Sequence, residues 1–245
     1  MLLPLLPVKS LATSKGRLAP PLGPIERRLL TLAMLEDVIA AVQAAAAGGR
    51  LARPAVVSPD REVWRRAEAL GCRVVEEPPA GTEGDQDEGA ESLNRSLRRA
   101  AATLVGSGGA AAGDGAAGLL VVAADLPLAS AAAFARVVRA AEHGGAPVVV
   151  VPSHDGTGTN VLAWRDPTTF APAFGPGSAA RHLALPGAVR LDEPSLARDV
   201  DTIDHLRAVA ADLDPASVTA RRLRDVRGLA AAVAHPNANA TIAEE

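Results

Sequence analysis

The sequence predicts an α/β fold, a three-layer αβα sandwich built around a mainly parallel sheet. Short apolar runs alternate along the chain with longer segments in which apolar residues recur every three or four positions. Glycine follows the end of most of these longer segments, as it does at helix C-termini. Alternating strands and helices form right-handed βαβ units, whose helices cover both faces of the sheet.

Each element follows from one of these patterns. The apolar runs predict buried strands over 2–8, 54–58, 73–76, 119–124, 148–151, 160–164 and 188–191. The periodic segments predict helices over 24–46, 61–70, 92–105, 129–142 and 218–233, with two more beginning near Ser178 and Ile203. The apolar face of helix 24–46 suits either the core or, in part, a homodimer interface, and periodicity does not separate the two.

The domain organisation predicted from composition is one domain over 1–213 and a C-terminal extension over 214–245. The extension is expected to be partly helical and then disordered. The acidic segment 78–90 and the Gly- and Ala-rich segment 106–118 are predicted to be mobile surface loops without an assigned role.

Composition excludes several classes of function. With 48% hydrophobic and 22% charged residues, the chain of 245 residues can bury a core and is not globally disordered. A net charge of −3 gives no general attraction for nucleic acid or an anionic membrane. The single cysteine, Cys72, excludes an intrachain disulfide, and no unbroken run reaches the roughly 18 apolar residues of a membrane span. We expect a soluble cytoplasmic protein whose partners are small molecules.

The stretch PVKSLATSKGRLAP, residues 7–20, follows the first predicted strand and contains both lysines of the chain, Lys9 and Lys15, with Arg17 just beyond. Open sheets bind ligands at the carboxyl ends of their strands. Three cations with Ser and Thr but no acid suit phosphate groups. The stretch has neither G-x-x-x-x-G-K-[ST] nor G-x-G-x-x-G, and a solvated basic loop is the alternative.

Three aspartates are candidate metal ligands. Asp125 closes the apolar run LLVVAADLP, and Asp199 and Asp201 stand two apart in ARDVDTIDHL. In extended chain, residues two apart point to one face, and carboxylate oxygens are ligands of Mg²⁺. The alternatives are a turn or capping role for Asp125, and an N-cap formed by Asp201 or Thr202 before the helix near Ile203.

The turn FGPGSAARH can bind an anion through the backbone N–H groups of Gly175 and Gly177 and the hydroxyl of Ser178. His182 in the same motif is a candidate substrate contact. Nucleophilic catalysis is poorly supported, because neither a G-x-S-x-G elbow nor H-E-x-x-H is present. With 2% aromatic residues and no Tyr, stacking platforms for single-stranded nucleic acid are missing.

Together these features indicate phosphoryl transfer. A phosphate oxygen is already anionic and needs no general base as a nucleophile. The site then has to neutralise charge, align the attack and stabilise departing pyrophosphate. In this hypothesis Mg²⁺ is held by Asp125, Asp199 and Asp201, and a triphosphate by Lys9, Lys15 and Arg17.

Six motifs in order resemble the CofC/FbiD family over about residues 3–210: PVKSLATSKGRL, SLNRSL, AADLPL, GTGTN, FGPGSAARH and DVDTIDHL. The resemblance implies a MobA-like, Rossmann-like nucleotidyltransferase fold and a guanylyltransferase of coenzyme F420 biosynthesis. Such an enzyme transfers GMP from GTP to a small phosphorylated carboxylic acid and releases pyrophosphate. The Ala- and Arg-rich, Lys-poor residue usage indicates a GC-rich genome. If that genome is bacterial, phosphoenolpyruvate is the favoured acid, with 2-phospho-L-lactate and 3-phospho-D-glycerate as alternatives.

The resemblance also implies roles for residues of this chain. Lys9, Lys15, Arg17 and Asp125 would be catalytic, and Asn94 would lie near the nucleotide beside the three cations. Thr159, Gly175 and Ser178 would hold the acid, and the three aspartates would hold the metal. The chemistry of the reaction, and not the resemblance, suggests two Mg²⁺ ions. Ser92 stands where the family often has Gly. A labile product would suit hand-off to the next enzyme. The alternative functions are those of another sugar-phosphate nucleotidyltransferase, a D-x-D glycosyltransferase or a non-catalytic nucleotide-binding module.

Overall fold

The computed structural model describes residues 1–77, 90–105, 117–143 and 145–234. In these ranges the strands are β1 (Leu2–Pro7), β2 (Ala55–Ser58), β3 (Arg73–Glu76), β4 (Gly118–Val122), β5 (Val148–Pro152), β6 (Thr159–Trp164) and β7 (Val189–Arg190). The helices are α1 (Pro24–Ala46), α2 (Arg61–Ala69), α3 (Ala90–Val105), α4 (Ala131–His143), α5 (Ser178–Leu183), α6 (Pro194–Ala197), α7 (Ile203–Ala210), α8 (Val218–Asp225) and α9 (Arg227–Ala234). The seven predicted strands are therefore confirmed within these ranges.

The described strands form one seven-stranded sheet in the order β3-β2-β1-β4-β6-β5-β7. β1 pairs in parallel with β2 and β4, as β2 does with β3 and β5 with β7. β6 runs antiparallel to both of its neighbours, β4 and β5. The prediction of a mainly parallel sheet is confirmed.

Helices cover both faces of the sheet. On one face Leu6 of β1 belongs to a core cluster with Val38 of α1 and Phe134 of α4. On the other face Leu5 of the same strand packs in a second cluster with Leu97 of α3. Alternate residues of one strand thus enter opposite cores, as the two-residue period of a strand requires. The predicted three-layer αβα arrangement is confirmed.

Helix α1 belongs to the core. Its buried residues include Val38 and Ile39, which pack toward the sheet, and Leu30 and Met34, which pack with the C-terminal helices. By length and composition α1 could cross a membrane, with a mean hydropathy of 1.6, but 56% of that window is buried inside the protein. The structure therefore assigns the apolar face of α1 to the core.

The C-terminal extension forms two helices, α8 and α9, where the sequence predicts one. The chain turns out of helical geometry at Val226, which has φ −98° and ψ 110°. Leu223 of α8 and Leu229 of α9 join Leu30 of α1 in a third core cluster. The predictions of mobile loops and of a disordered end concern residues 78–89, 106–116 and 235–245, which lie outside the described residues.

Candidate active site

A cleft of about 1130 Å³ lies at the edge of the sheet where β1 and β4 end. Its lining includes the loop after β1, from Lys9 to Arg17, and residues 123–125 after β4. Because β6 runs antiparallel to β4, its first residue, Thr159, also lies at this edge and lines the cleft. The cleft is large enough for a nucleotide together with a small second substrate.

Lys15 is the centre of the charged floor of this cleft. Its ammonium group donates hydrogen bonds to Asp125 and, at 2.8 Å, to Oδ1 of Asp201. Its backbone has φ 56° and ψ 35°, the left-handed region, just before the short 3₁₀ helix Gly16–Leu18. Only 9% of the side chain is exposed. A lysine held in this uncommon conformation and buried against two carboxylates is typical of a functional position.

The charges shift one another's protonation equilibria. Burial lowers the pKa of Lys15, but the charges and hydrogen bonds of Asp125 and Asp201 outweigh burial and hold this pKa above its ordinary value. Burial raises the pKa of Asp201, but Lys15 and Arg17 outweigh that effect and hold it below its ordinary value. The ion pair is therefore fully charged at neutral pH.

The other two predicted cations lie at the mouth of the cleft. Lys9 is exposed and lines it immediately after β1. Arg17 also lines the cleft, and its Nη1 lies 3.9 Å from Oδ2 of Asp201 with 80% of its side chain exposed. The loop is anchored at its base by the Leu11 N–H, which donates to Oδ2 of Asp60 at 3.0 Å. Because the side chains of both cations are exposed, they can turn toward an anionic ligand.

The segment that carries Asp199 and Asp201 is fixed by four hydrogen bonds. The Val200 N–H donates to the backbone oxygen of Asp125 at 3.1 Å, which joins the segment to the end of β4. Nδ2 of Asn160 donates to the backbone oxygens of Leu196 and Ala197 and to Oδ1 of Asp199 at 3.1 Å. Burial, then the charge of Asp125, raises the pKa of Asp199. Asp199 is therefore buried beside a second carboxylate, with too little positive charge nearby to balance the two.

The N-cap of α7 settles one alternative left open by the sequence. Oγ1 of Thr202 accepts a hydrogen bond from the His205 N–H at 3.2 Å, so Thr202 caps the helix. Asp201 is left to face Lys15 and the cleft. Among the described residues, however, no group of three or more acidic, histidine or cysteine side chains is arranged to hold a metal ion. Lys15 lies between Asp125 and Asp201, and Asp199 is hydrogen-bonded to Asn160.

Of the predicted acid-binding residues, Thr159 lines the cleft, whereas Gly175 and Ser178 are not among its lining residues. They lie next to it in the chain after Phe174, which lines the cleft as well. Gly175 has φ 119°, and a Cβ there would stand 2.6 Å from that of Ala90, so the turn requires glycine. Ser178, only 2% exposed, begins α5 after this turn. The structure brings these residues to neighbouring positions, and their contact with a ligand stays a prediction.

Three residues contribute to the site in ways that the sequence did not reveal. Asn94 is buried, and its side-chain amide makes two hydrogen bonds to the backbone of Phe174. Its Nδ2 donates to the backbone oxygen of Phe174, and its Oδ1 accepts from the Phe174 N–H at 2.8 Å. Its predicted contact with the nucleotide stays a prediction. Asn160 orients Asp199, and His182 is hydrogen-bonded to Thr159 behind the wall. Such partners are far apart in sequence, and no local motif marks the pairs.

Comparisons with known proteins agree with this architecture. The model of the family "Guanylyl transferase CofC like" matches residues 2–191. A phosphoenolpyruvate guanylyltransferase of Nocardia farcinica is 41% identical over 224 residues, which cover 91% of this chain and 90% of that protein. Phosphoenolpyruvate guanylyltransferase 1 of Rhodococcus jostii is 38% identical over 213 residues, 84% of this chain and 86% of that protein.

Solved structures share the fold at low sequence identity. One described as a nucleotide-diphospho-sugar transferase of Desulfovibrio desulfuricans G20 has a TM-score of 0.64 and 16% identity, covering 95% of this chain and 99% of that one. The 4-diphosphocytidyl-2C-methyl-D-erythritol synthase of Anaerococcus prevotii gives 0.51 and 12%, covering 86% and 97%. Rv0371c of Mycobacterium tuberculosis in complex with manganese gives 0.50 and 16%, covering 87% and 100%.

The family match and the curated relatives show that this αβα protein, with its cationic loop facing carboxylates at the carboxyl edge of the sheet, is a nucleotidyltransferase. Among nucleotidyltransferases, this chain belongs to the CofC-like guanylyl transferase family, as the match over 2–191 and the relatives near 40% identity show. The protein is a guanylyltransferase.

Proposed function

We propose that this enzyme transfers GMP from GTP to phosphoenolpyruvate and releases pyrophosphate. The observation that carries the proposal is Lys15, buried in the floor of the cleft against Asp125 and Asp201, with Lys9 and Arg17 at its mouth. Three cations thus line one cleft of a chain whose net charge is −3, and cations of these types bind phosphate groups. The names of its relatives support the choice of acid.

The three aspartates suit a divalent cation by the chemistry of their oxygens, and such a cation would compete with Lys15, which lies between two of them. Asp125, Asp199 and Asp201 lie at one sheet edge, and the buried Lys15 is paired with Asp125 and Asp201. Carboxylate oxygens are the ligands that Mg²⁺ and Mn²⁺ prefer, and the structure of Rv0371c holds manganese. We propose that these aspartates hold Mg²⁺, two ions in the full complex. Bound there, the metal would neutralise charge on the triphosphate.

The protein's own residues account for the remaining chemistry. A phosphate oxygen of the acid attacks the α-phosphorus of GTP, the bond to the β-phosphate oxygen breaks, and pyrophosphate leaves with that electron pair. Lys9, Lys15 and Arg17 bind the triphosphate and stabilise the charge that develops on the leaving group. Thr159 and the turn of Gly175 and Ser178 hold the acid in line, which converts a collision into an oriented encounter.

The proposal extends to the setting of the reaction. The resemblance to the CofC/FbiD family implies a step in coenzyme F420 biosynthesis, and we propose that it takes place in the cytoplasm, where GTP is available. The acid could also be 2-phospho-L-lactate or 3-phospho-D-glycerate, because the three differ by groups whose discrimination is worth about 1–3 kcal/mol. The guanylylated product is labile, so hand-off to the next enzyme belongs to the same proposal.

The test measures pyrophosphate released from GTP with each of the three acids, with and without Mg²⁺. We expect release that requires both Mg²⁺ and phosphoenolpyruvate, and loss of turnover in Asp125→Asn with the fold intact by circular dichroism. Asp192→Asn, at an exposed position away from the cleft, is the matched control. Release with sugar phosphates instead would support the rival transferases, and GTP binding without turnover would support a binding module. Because the product is labile, the absence of turnover counts as a negative result only when the assay is coupled to the next enzyme.

A further inference from the structure

His182 lies directly behind the cleft wall without any exposed surface. It belongs to α5 and makes two hydrogen bonds through its ring. Its Nε2 is 2.9 Å from the backbone nitrogen of Ala173, and its Nδ1 is 2.9 Å from Oγ1 of Thr159. Thr159 itself lines the cleft, whereas His182 is not part of the lining. The imidazole therefore reaches the cleft through the Thr159 hydroxyl.

The two partners fix the tautomer of the ring. A backbone N–H can only donate, so Nε2 accepts from Ala173. In a neutral imidazole the proton then stands on Nδ1, which donates to Oγ1 of Thr159. Burial, then the charge of Arg181, lowers the pKa of His182 to about 4, so the ring is neutral at neutral pH. The proton of the Thr159 hydroxyl must consequently point away from the ring.

We propose that His182 is a positioning residue for the acid substrate, holding the Thr159 hydroxyl as a hydrogen-bond donor to an anionic oxygen bound in the cleft. This inference rests on the proposed function, because it takes the phosphorylated acid as that ligand. Carboxylate and phosphate oxygens only accept hydrogen bonds, so a hydroxyl locked as a donor suits them better than one free to rotate. His182 acts through Thr159 and not by direct contact.

The same ring joins two parts of the wall. Through Ala173 it fixes the chain just before Phe174, whose ring meets the imidazole edge-on with centroids 5.1 Å apart. Arg181 holds the following turn by donating to the backbone oxygens of Ala173 and Pro176. One side chain thus sets the distance between the first residue of β6 and the turn that leads into α5. That arrangement keeps the hydroxyl and the turn in register for one small ligand.

A matched pair of variants separates the two hydrogen bonds. The amide of Gln reaches the position of Nε2 and can accept from Ala173, but it loses the donor to Thr159. The amide of Asn reaches the position of Nδ1, keeps that donor and loses the other bond. We expect His182→Gln to raise the KM for the acid about tenfold with little change in the KM for GTP or in kcat. His182→Asn, which keeps the donor to Thr159 but loses the bond to Ala173, should raise the KM for the acid clearly less than His182→Gln does.

A double-mutant cycle tests whether the effect passes through Thr159. In a Thr159→Val background, which has no hydroxyl to orient, His182→Gln should change the KM for the acid less than twofold. Equal effects of His182→Gln in both backgrounds would overturn the inference. So would a rise in both KM values that follows the loss of thermal stability, because that pattern indicates a merely structural histidine.

A measurement without turnover keeps this inference separate from the proposed function. Nitrogen NMR of histidine-labelled wild-type protein should show His182 neutral at pH 7 with its proton on Nδ1, and Thr159→Val should shift that proton's resonance. The opposite tautomer would overturn the inference even if the enzyme uses phosphoenolpyruvate. If wild-type protein turns over none of the acids with GTP, the proposed function fails, and this NMR result still decides whether His182 orients Thr159.

Discussion

At the scale of single residues, Lys15 shows why one lysine differs from the many arginines of the chain. Arginine supplies 23 of the 25 basic residues, and both lysines lie in the loop after β1. The ammonium of Lys15 fits between Asp125 and Asp201 as a compact point charge. A planar guanidinium would need more room and would offer its donors in a fixed fork. We propose that the same compactness lets the ammonium turn from the carboxylates to a phosphate of the nucleotide.

Replacing Lys15 tests this double role. In Lys15→Gln two carboxylates lose their buried counter-charge, so we expect kcat/KM to fall at least about 100-fold. The same change should tighten Mn²⁺ binding in the absence of nucleotide roughly tenfold, because the cation no longer competes with an ammonium. Mn²⁺ titration followed by electron paramagnetic resonance measures this. Arg190→Gln, an exposed control outside the cleft lining, should change neither quantity. Weaker Mn²⁺ binding in Lys15→Gln would contradict the assignment.

The depressed pKa of His182 predicts a pH-dependent stability. Its pKa is about 4 in the folded protein against 6.5 in the unfolded chain, so between these values the unfolded chain binds more protons. The contribution is fully present above pH 6.5 and is lost as the pH falls toward 4, a change of about 3 kcal/mol. Urea unfolding should show wild type losing that much more than His182→Gln between pH 7 and pH 4. Parallel losses would show that the ring titrates normally.

At the scale of elements, the sequence predicts which segments form strands better than it predicts whether each strand is parallel or antiparallel to its neighbours. The apolar run 160–164 predicts a strand, but such a run does not indicate whether the strand is parallel or antiparallel to its neighbours. The connection 153–158 between β5 and β6 is too short for a crossover helix, which is the physical signal of the antiparallel pairing. Lys15 and Asp125, which follow β1 and β4, meet at one edge of the sheet because parallel strands end on the same side. The roles of Asn160 and His182 depend on long-range hydrogen bonds that no pattern shows.

The N-terminus of α8 is capped from another helix. Oδ1 and Oδ2 of Asp37, in α1, accept hydrogen bonds from the N–H groups of Val218 at 2.7 Å and Thr219 at 2.8 Å. Asp37→Ala leaves both donors unpaired, so we expect the free energy of unfolding to fall by about 2 kcal/mol. Asp225→Asn, at the exposed far end of α8, should change it by less than about 0.5 kcal/mol. Chemical denaturation compares the two, and equal small effects would mean that α8 is loosely attached.

At the scale of the whole molecule, the third core cluster connects the C-terminal helices to the site. Leu223 of α8 and Leu229 of α9 pack in one cluster with Leu18, which ends the 3₁₀ helix after Lys15. Val200, which separates Asp199 from Asp201, belongs to the same cluster and is fully buried. Both charged segments of the cleft therefore rest on side chains supplied by the extension. The boundary after residue 213 proposed from composition divides this cluster.

Truncation decides whether the extension is an accessory or part of the catalytic unit. Deleting 214–245 removes Ala220, Leu223, Leu229 and Ala232 from the cluster, and each large buried side chain contributes about 1.5–3 kcal/mol. We expect that deletion to lower the unfolding free energy by several kcal/mol and to raise the KM for GTP, because Leu18 and Val200 lose their support. Deleting only 235–245 keeps every one of these side chains and should leave both quantities unchanged. Stability curves and GTP kinetics of the two truncations provide the comparison. If the longer deletion behaves like the shorter one, the cluster does not hold the loop and the D-x-D segment in place, and the nucleotide site is complete within 1–213.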